Sequence, residues 1–426
     1  MDLPRGMKDF DGEEIFKIKY VRENFVQTAN LFGYKFMNPS QIELLSTLET
    51  KSGPAIKNDI YYFKDKHDRE VGLRFDFTMG LTRYVVSQKS LKLPAKLASF
   101  GGVFRYDEPQ KGRYRFFHQW NIEIFGKSSL AADSELIEFT SRFFEKINLK
   151  NIEIHVSHRK LVESYVKKIF ASDDPKTISE IFRAMDKVQK KRPDEILKEY
   201  EQKGFDKEKL KKILEFSAIK GNPHEIEANF DVRELESWED LKQLYFSLDD
   251  RDVKNIKINF GIVRGLDYYS GMVFEAFDTS SDIGALVGGG RYDTLPKAFG
   301  RDDLGATGVA GGVERIILSL DQQGLSPKKE IFMSSVLYAT EEMHEEAQVI
   351  ASKLREKGVP ITIDFYPSKS LKKQMESASE SKFAIIVGPK EFAESKVVLR
   401  NLQEHSEKQI SIDELIQNVD SILKKP

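Results

Sequence analysis

The stretch FRYDEPQKGRYRFFHQWNIEIFG, residues 104–126, decides how the rest of the chain is read. Its second half alternates. Phe117, Gln119, Asn121 and Glu123 fall on one side of an extended chain, and His118, Trp120, Ile122 and Ile124 on the other. Side chains of a strand point to opposite faces in turn, so this is a strand with one apolar and one largely polar face. A sheet surface open to water explains the polar side, and so does a substrate pocket. The segment EPQKGRYR, with its proline, glycine and cations, reads as a basic hairpin loop joining this strand to the one in LASFGGVFRYDEP.

Working outward, EEIFKIKYVRENFVQTANLF places Phe16, Tyr20, Phe25 and Ala29 near helical spacing, and Gly33 then punctuates. A short strand follows and stops at Pro39. Residues 59–126 are rich in short β-favouring runs, and 127–170 return to helix and strand. Residues 171–250 are charge-rich and helical, with few β signals, and read as an insertion; IKINF at 256–260 resumes the sheet. In GIVRGLDYYSGMVFEAF, residues 261–277, the part from Tyr268 onward reads as a core strand, with Tyr268 facing the core and Tyr269 a pocket. GATGVAGGVERIILSL, 305–320, reads as a glycine-rich strand entering a helix at Val313. From about residue 330 strands alternate with helices, the pattern of a separate α/β domain. The expected division is a main domain over 1–170 and 251–325, a helical insertion over 171–250, and an α/β domain over 330–426.

Composition narrows the function. The formal net charge of −2 supplies no global basic field, so a polyanion must be met by local patches. With no cysteine there is no disulfide framework, thiolate zinc site or cysteine nucleophile. The seven histidines show no metal-ligand spacing. The charged N-terminus lacks the apolar core of a signal peptide, and no run approaches the ~20 apolar residues that span a bilayer. A cytoplasmic protein with no membrane partner is expected.

Arg105, Arg113, Arg115, Arg264 and Arg315 all fall beside glycine-rich or β segments. Any one of them could pair with a local carboxylate. As a set on one sheet they call for an anionic ligand, because unpaired buried guanidinium groups are costly. The planar guanidinium fork suits phosphate. GGGRY lacks the Lys and Ser/Thr of a Walker loop, and no G-x-G-x-x-G leads a strand into a helix, so P-loop and Rossmann readings fail.

The residues just quoted carry a resemblance. FRYDEPQKGRYRFFHQWNIEIFG resembles motif 2 of class II aminoacyl-tRNA synthetases, GATGVAGGVERIILSL motif 3, and GYKFMNPSQIE with Pro39 motif 1. RGLDYYSGMVFE, VGGGRYD and LPRGMKDF resemble stretches peculiar to the histidyl-tRNA synthetase family. The resemblance runs over nearly the whole chain and is weakest in the insertion. It implies an α+β fold: a class II antiparallel sheet flanked by helices, a helical insertion, and a C-terminal α/β anticodon-binding domain. It implies histidine, ATP with Mg2+, and tRNA(His) as partners, and a homodimer through motif 1.

Site residues follow from the same resemblance. Arg105 matches the arginine on the α-phosphate, with Arg264 opposite it as the family's own catalytic arginine. Arg113 and Arg315 match arginines on the outer phosphates. Asp107 stands where the pattern has a glutamate near adenine. Asp76 and Thr78, in RFDFT, match the pair that holds the α-amino group. Glu123 and Tyr269 match the groups at the imidazole, with Gln119 and Tyr292 completing the pocket; Arg264 also borders the amino acid. Lys369, Lys372, Lys373 and Arg400 are candidate tRNA contacts. His118 and Trp120 read as packing residues. The alternatives are an inactive paralogue that regulates ATP phosphoribosyltransferase, which would lack the anticodon domain, and a sensor domain that binds uncharged tRNA.

Overall fold

The computed structural model describes residues 2–109, 112, 114–188, 191–263, 268–328 and 333–423. The chain forms two compact units, 1–327 and 328–426.

The first unit holds twelve strands among its described residues. They are β1 (Lys35–Phe36), β2 (Ile42–Leu44), β3 (Tyr62–Lys64), β4 (Glu70–Leu73), β5 (Ala95–Phe104), β6 (Phe116–Gly126), β7 (Ile152–His158), β8 (Lys220–Gly221), β9 (Ile256–Asn259), β10 (Met272–Asp278), β11 (Ala285–Arg291) and β12 (Gly305–Gly312). Nine of these form one sheet in the order β1-β5-β6-β12-β11-β10-β7-β9-β8, and β2-β4-β3 form a small second sheet. The β1–β5 and β7–β9 pairs are parallel. The central pairs β5–β6, β6–β12, β12–β11, β11–β10 and β10–β7 are antiparallel. The quoted stretch is thus the β5–β6 hairpin, in register from Phe104 opposite Phe116 to Ala95 opposite Phe125.

One face of the sheet is the core. The helix Gly12–Leu31 starts where the Asp11 side chain accepts from the backbone N–H groups of Glu13 and Glu14, an N-cap that satisfies two orphan donors. It lays Phe25 against Trp120, whose ring centroid is 5.4 Å away. Phe139 and Phe143 of the helix Leu130–Lys146 close on the same indole at 5.9 and 5.2 Å. Trp120 fits only because Gly311 lies beneath it, where a Cβ would stand 2.4 Å from the indole. The expected packing role of Trp120 is what the structure has. The opposite face of β6 carries Gln119, Asn121 and Glu123.

The stretch 171–250 is mostly helix: Pro175–Lys187, Pro193–Gln202, Lys207–Ser217, Pro223–Asn229 and Trp238–Asp249. It also supplies β8, which pairs with β9 at the sheet edge. A two-residue strand has no periodicity to read. Ile178, Ile181, Phe182, Phe216 and Trp238 join the core of the main sheet, while Ala184, Ile196, Tyr200, Leu210 and Leu214 make a small cluster of their own.

The second unit has five described strands: β13 (Ser334–Tyr338), β14 (Ile361–Ile363), β15 (Phe383–Val387), β16 (Lys396–Asn401) and β17 (Ser406–Ser411). Their order is β14-β13-β15-β16-β17. β13 pairs in parallel with β14 and β15, and β16–β17 is the antiparallel hairpin seen in VVLRNLQ. The helices His344–Glu356 and Leu371–Ser377 connect the parallel strands, as parallel pairing requires. Among the described residues no helix is long and apolar enough to cross a membrane.

Candidate active site

A cavity of about 350 Å3 opens on the polar face of the nine-stranded sheet. Asp76, Thr78, Arg105, Asp107, Gln119, Glu123, Tyr269, Tyr292 and Arg315 all line it. Arg113 and Arg264 lie outside the described residues.

The two ends of the cavity differ in chemistry. At one end Arg105, just past β5, is aimed by two acceptors. Its Nε donates to the Phe75 carbonyl at 3.0 Å and its Nη2 to Gln119 Oε1 at 3.1 Å. Its guanidinium lies 5.1 Å from the centroid of the Phe117 ring. Arg315 sits in the first turn of the helix Val313–Gln322 and donates from Nη1 to the Ala285 carbonyl at 2.7 Å. Asp107 follows Arg105 in the loop, and its carbonyl accepts from Arg115 Nε at 3.2 Å. Arg115 thereby holds Asp107 in place, with its guanidinium 3.9 Å from the centroid of the Tyr106 ring.

At the other end Glu123 is 1% exposed. Oε1 accepts from Thr78 Oγ1 at 2.7 Å and from Asn121 Nδ2 at 3.0 Å, and Oε2 accepts from the Tyr292 hydroxyl. Burial pushes the Glu123 carboxyl up to about 7, against the donors from Tyr292, Thr78 and Asn121, which favour the charged form. Gly308 of β12 makes the room. A Cβ there would stand 1.4 Å from Glu123 Oε2, so only glycine fits. Burial, and then the charge of Glu123, raise the pKa of the Tyr269 phenol, so it stays a donor. Asp76 Oδ1 accepts from the Met79 N–H at 3.1 Å, at the start of the helix Thr78–Ser87. Thr78 was expected with Asp76 at an amino group; its hydroxyl donates instead to Glu123 Oε1.

Three residues beside the site behave in ways the sequence does not show. Tyr268 packs against the core around Phe77 and Tyr292, as expected, its ring stacked on Tyr292 at 5.1 Å, and it also lines the cavity beside Tyr269. Strand alternation does not govern the pair because β10 begins only at Met272. His118 packs edge-on against Phe10 and Phe116, but it also makes polar contacts. Its backbone N–H donates to Glu314, and Nδ1 lies 2.8 Å from Glu314 Oε1. The arginine of GGGRY, Arg291, is a structural cation paired at 2.7 Å with buried Asp133.

Sequence reading missed Asn121, Glu275 and Glu314. All three are buried, and Glu275 and Glu314 line the cavity. Glu275 could have been found as a lone acid inside the apolar run MVFEAF. In the second unit, Lys372 and Lys373 are exposed on the helix Leu371–Ser377, Lys369 pairs with Asp364, and Arg400 lies 3.9 Å from Glu407. Beside them Phe365 is 82% exposed and Tyr366 72%.

A mainly antiparallel sheet with a cavity on one face, arginines at one end and a buried carboxylate at the other, has the plan of a class II aminoacyl-tRNA synthetase. The sequence comparisons narrow that class. Residues 6–316 match the family described as Histidyl-tRNA synthetase, and 328–422 match the Anticodon binding domain. The Histidine--tRNA ligase of Pyrococcus furiosus is 32% identical over 437 residues, covering 99% of each chain. The chain belongs to the histidyl-tRNA synthetase family. The crystal structure of histidyl-tRNA synthetase from Nostoc sp. PCC 7120 shares the fold, with TM-score 0.79, 22% identity and 99% of both chains covered. So does an ATP phosphoribosyltransferase regulatory subunit/histidyl-tRNA synthetase from Bacillus halodurans C, with TM-score 0.75, 20% identity and coverage of 91% of this chain and 98% of that one.

Proposed function

We propose that the protein is a histidine–tRNA ligase. The histidine carboxylate attacks the α-phosphorus of ATP; the bond to the bridging oxygen breaks and pyrophosphate leaves. A hydroxyl of the terminal ribose of tRNA(His) then attacks the histidyl carbonyl, and AMP leaves. The observation that carries this reading is a single cavity with fixed guanidinium groups at one end and a buried, hydrogen-bonded Glu123 at the other.

Arg105 takes the α-phosphate, with Arg264 opposite, and Arg113 and Arg315 take the outer phosphates. Asp107 lies toward the adenine. Two cations fixed beside one phosphorus stabilise the charge that builds on its oxygens without having to move. Glu123 accepts the imidazole N–H and Tyr269 donates to the other ring nitrogen, since a neutral imidazole offers one donor and one acceptor. Asp76 and Thr78 hold the α-amino group, and Gln119 and Tyr292 complete the walls. Such a site rejects analogues without ring nitrogens, because its own buried groups would go unpaired. Magnesium arrives with the nucleotide. It would offset charge on the outer phosphates, held largely by the nucleotide itself; among the described residues there is no group of three His, Asp or Glu that could hold an ion.

The division is taken as a catalytic domain over 1–170 and 251–325, an insertion over 171–250 and an anticodon-binding domain over 330–426. The tRNA would meet Lys369, Lys372, Lys373 and Arg400 of the last, in the cytoplasm. A homodimer is supported by the apolar side chains that β2 and β3 expose: Ile42 at 48%, Leu44 at 51%, Tyr62 at 48% and Phe63 at 44%. Sedimentation at micromolar concentration tests it; a monomer there would refute it. The regulatory-subunit alternative is supported less, because the chain carries the anticodon-domain match and keeps Arg105 and Arg315 on the cavity.

Pyrophosphate exchange with each amino acid in turn is the deciding experiment. Histidine should support exchange far above the others. No exchange, or a stronger response to another amino acid, would sink the proposal.

A further inference from the structure

Gln119, Asn121 and Glu123 follow one another on the cavity face of β6 and are 3%, 0% and 1% exposed. The reading above gives Asn121 no role, yet its partners fix which way its amide points. Arginine can only donate. Arg105 Nη2 donates to Gln119 Oε1 at 3.1 Å, which turns Gln119 Nε2 toward Asn121 Oδ1 at 2.6 Å. Asn121 Nδ2 then donates to Glu123 Oε1 at 3.0 Å and to Thr78 Oγ1 at 3.3 Å. Every bond in this row donates in one direction, from a permanent cation to a carboxylate. The middle position needs an acceptor and a donor on one short side chain. Aspartate would accept from Gln119 but set a second carboxylate against Glu123. Alanine would leave both neighbours short of a partner in a buried place, where that is costly.

We propose that Asn121 is a positioning residue that couples the two ends of the cavity, aiming Gln119 at Arg105 and holding Glu123 for the imidazole. It acts through those two neighbours. The inference rests on the histidine-activating reading.

Pyrophosphate exchange is measured for the wild type, Asn121→Ala, Asn121→Asp, Gln119→Ala and the Asn121→Ala/Gln119→Ala double variant. KM for histidine and for ATP are taken separately, and thermal melts confirm folding. Asn121→Ala should raise KM for histidine about tenfold and lower kcat about tenfold, with KM for ATP within about twofold, the scale of a lost hydrogen bond to a charged group. Asn121→Asp should lose more. The double variant should lose less than the product of the single losses, because both cut the same row. A folded Asn121→Ala with kcat and histidine KM within about twofold of wild type overturns the proposal, and so does a multiplicative double variant. If Asn121→Ala does not fold, the isosteric Asn121→Asp decides: wild-type activity there overturns it. A wild type that exchanges with no amino acid, or with one other than histidine, instead overturns the functional reading beneath it.

Discussion

The two ends of one cavity solve the burial of charge differently. The arginine end uses permanent cations. Arg105 and Arg315 each give a hydrogen bond to a backbone carbonyl while still lining the cavity, so they are held in place without being withdrawn from it. The ring end uses a group that can become neutral. Glu123 accepts from three side chains, yet burial still lifts its pKa to about 7. A phosphate brings charge that a fixed cation can meet. An imidazole titrates near 6.5, close to the carboxyl proposed to hold it. On the proposed reading, each end is matched to the charge its ligand would bring.

The largest effect should come from the end with permanent charge. Arg105→Ala is expected to lower kcat for histidine-dependent exchange by about 10²–10³-fold, the scale of losing one preorganised donor to a transition-state oxygen. ATP binding, followed by equilibrium dialysis, should remain measurable. Exchange within a few-fold of wild type would show that Arg105 is not on the reacting phosphate. The same measurement on Arg264→Ala, with loss at least as large expected, tests the arginine assigned opposite it.

The buried end should break in a way that exposes its cost. Glu123→Gln is expected to raise KM for histidine by about ten- to twentyfold, since a charge-assisted hydrogen bond to the ring becomes a neutral one. It should also change how stability depends on pH. The folded-state pKa of Glu123 is raised above its usual 4.5, so its stabilising contribution is fully present below pH 4.5 and is lost as pH rises through about 7. The loss amounts to about 3 kcal/mol by pH 8. Glu123→Gln lacks that loss, so its thermal stability relative to wild type should improve steadily from pH 5 to pH 8. Parallel melting curves across that range would remove the strained-carboxylate half of the comparison.

The phenol shares the end occupied by Glu123. Tyr269→Phe keeps the ring and deletes one donor, and burial keeps that donor protonated. KM for histidine should rise about tenfold while KM for ATP holds within about twofold. Equal losses for both substrates would move Tyr269 away from the imidazole.

How much of this the sequence disclosed depends on what fixed each position. The period-two pattern of 117–124 located β6 and its polar face, because alternation is a local property of strands. Gln119, Asn121 and Glu123 stood in one polar row, but only the family resemblance marked Gln119 and Glu123 as pocket residues. The role of Asn121 was hidden because it depends on Arg105 and Thr78, which only the fold brings within reach. Tyr268 faces the core as expected; that it also lines the cavity was not legible, because β10 begins only at Met272 and no strand pattern orders the pair. Arg291 and Arg105 look alike in sequence, each beside a glycine-rich or β segment. What separates them is Asp133, 158 residues from Arg291, which neutralises it. The strand β8 left no signal in a charge-rich helical stretch.

The smallest effect should come from outside both ends and so marks the limit of the comparison. Phe365 and Tyr366 are exposed together, just before the helix that carries Lys372 and Lys373. Bare aromatic rings beside lysines suit unpaired bases, which stack on rings and bring their own phosphates. Replacing both aromatics by alanine should raise KM for tRNA in aminoacylation about five- to tenfold, the low end of ~1–3 kcal/mol per stacked base. Histidine and ATP kinetics in exchange, which needs no tRNA, should not change. A shift in the exchange parameters would mean that the second unit bears on the cavity itself. An unchanged tRNA KM would return these rings to ordinary surface.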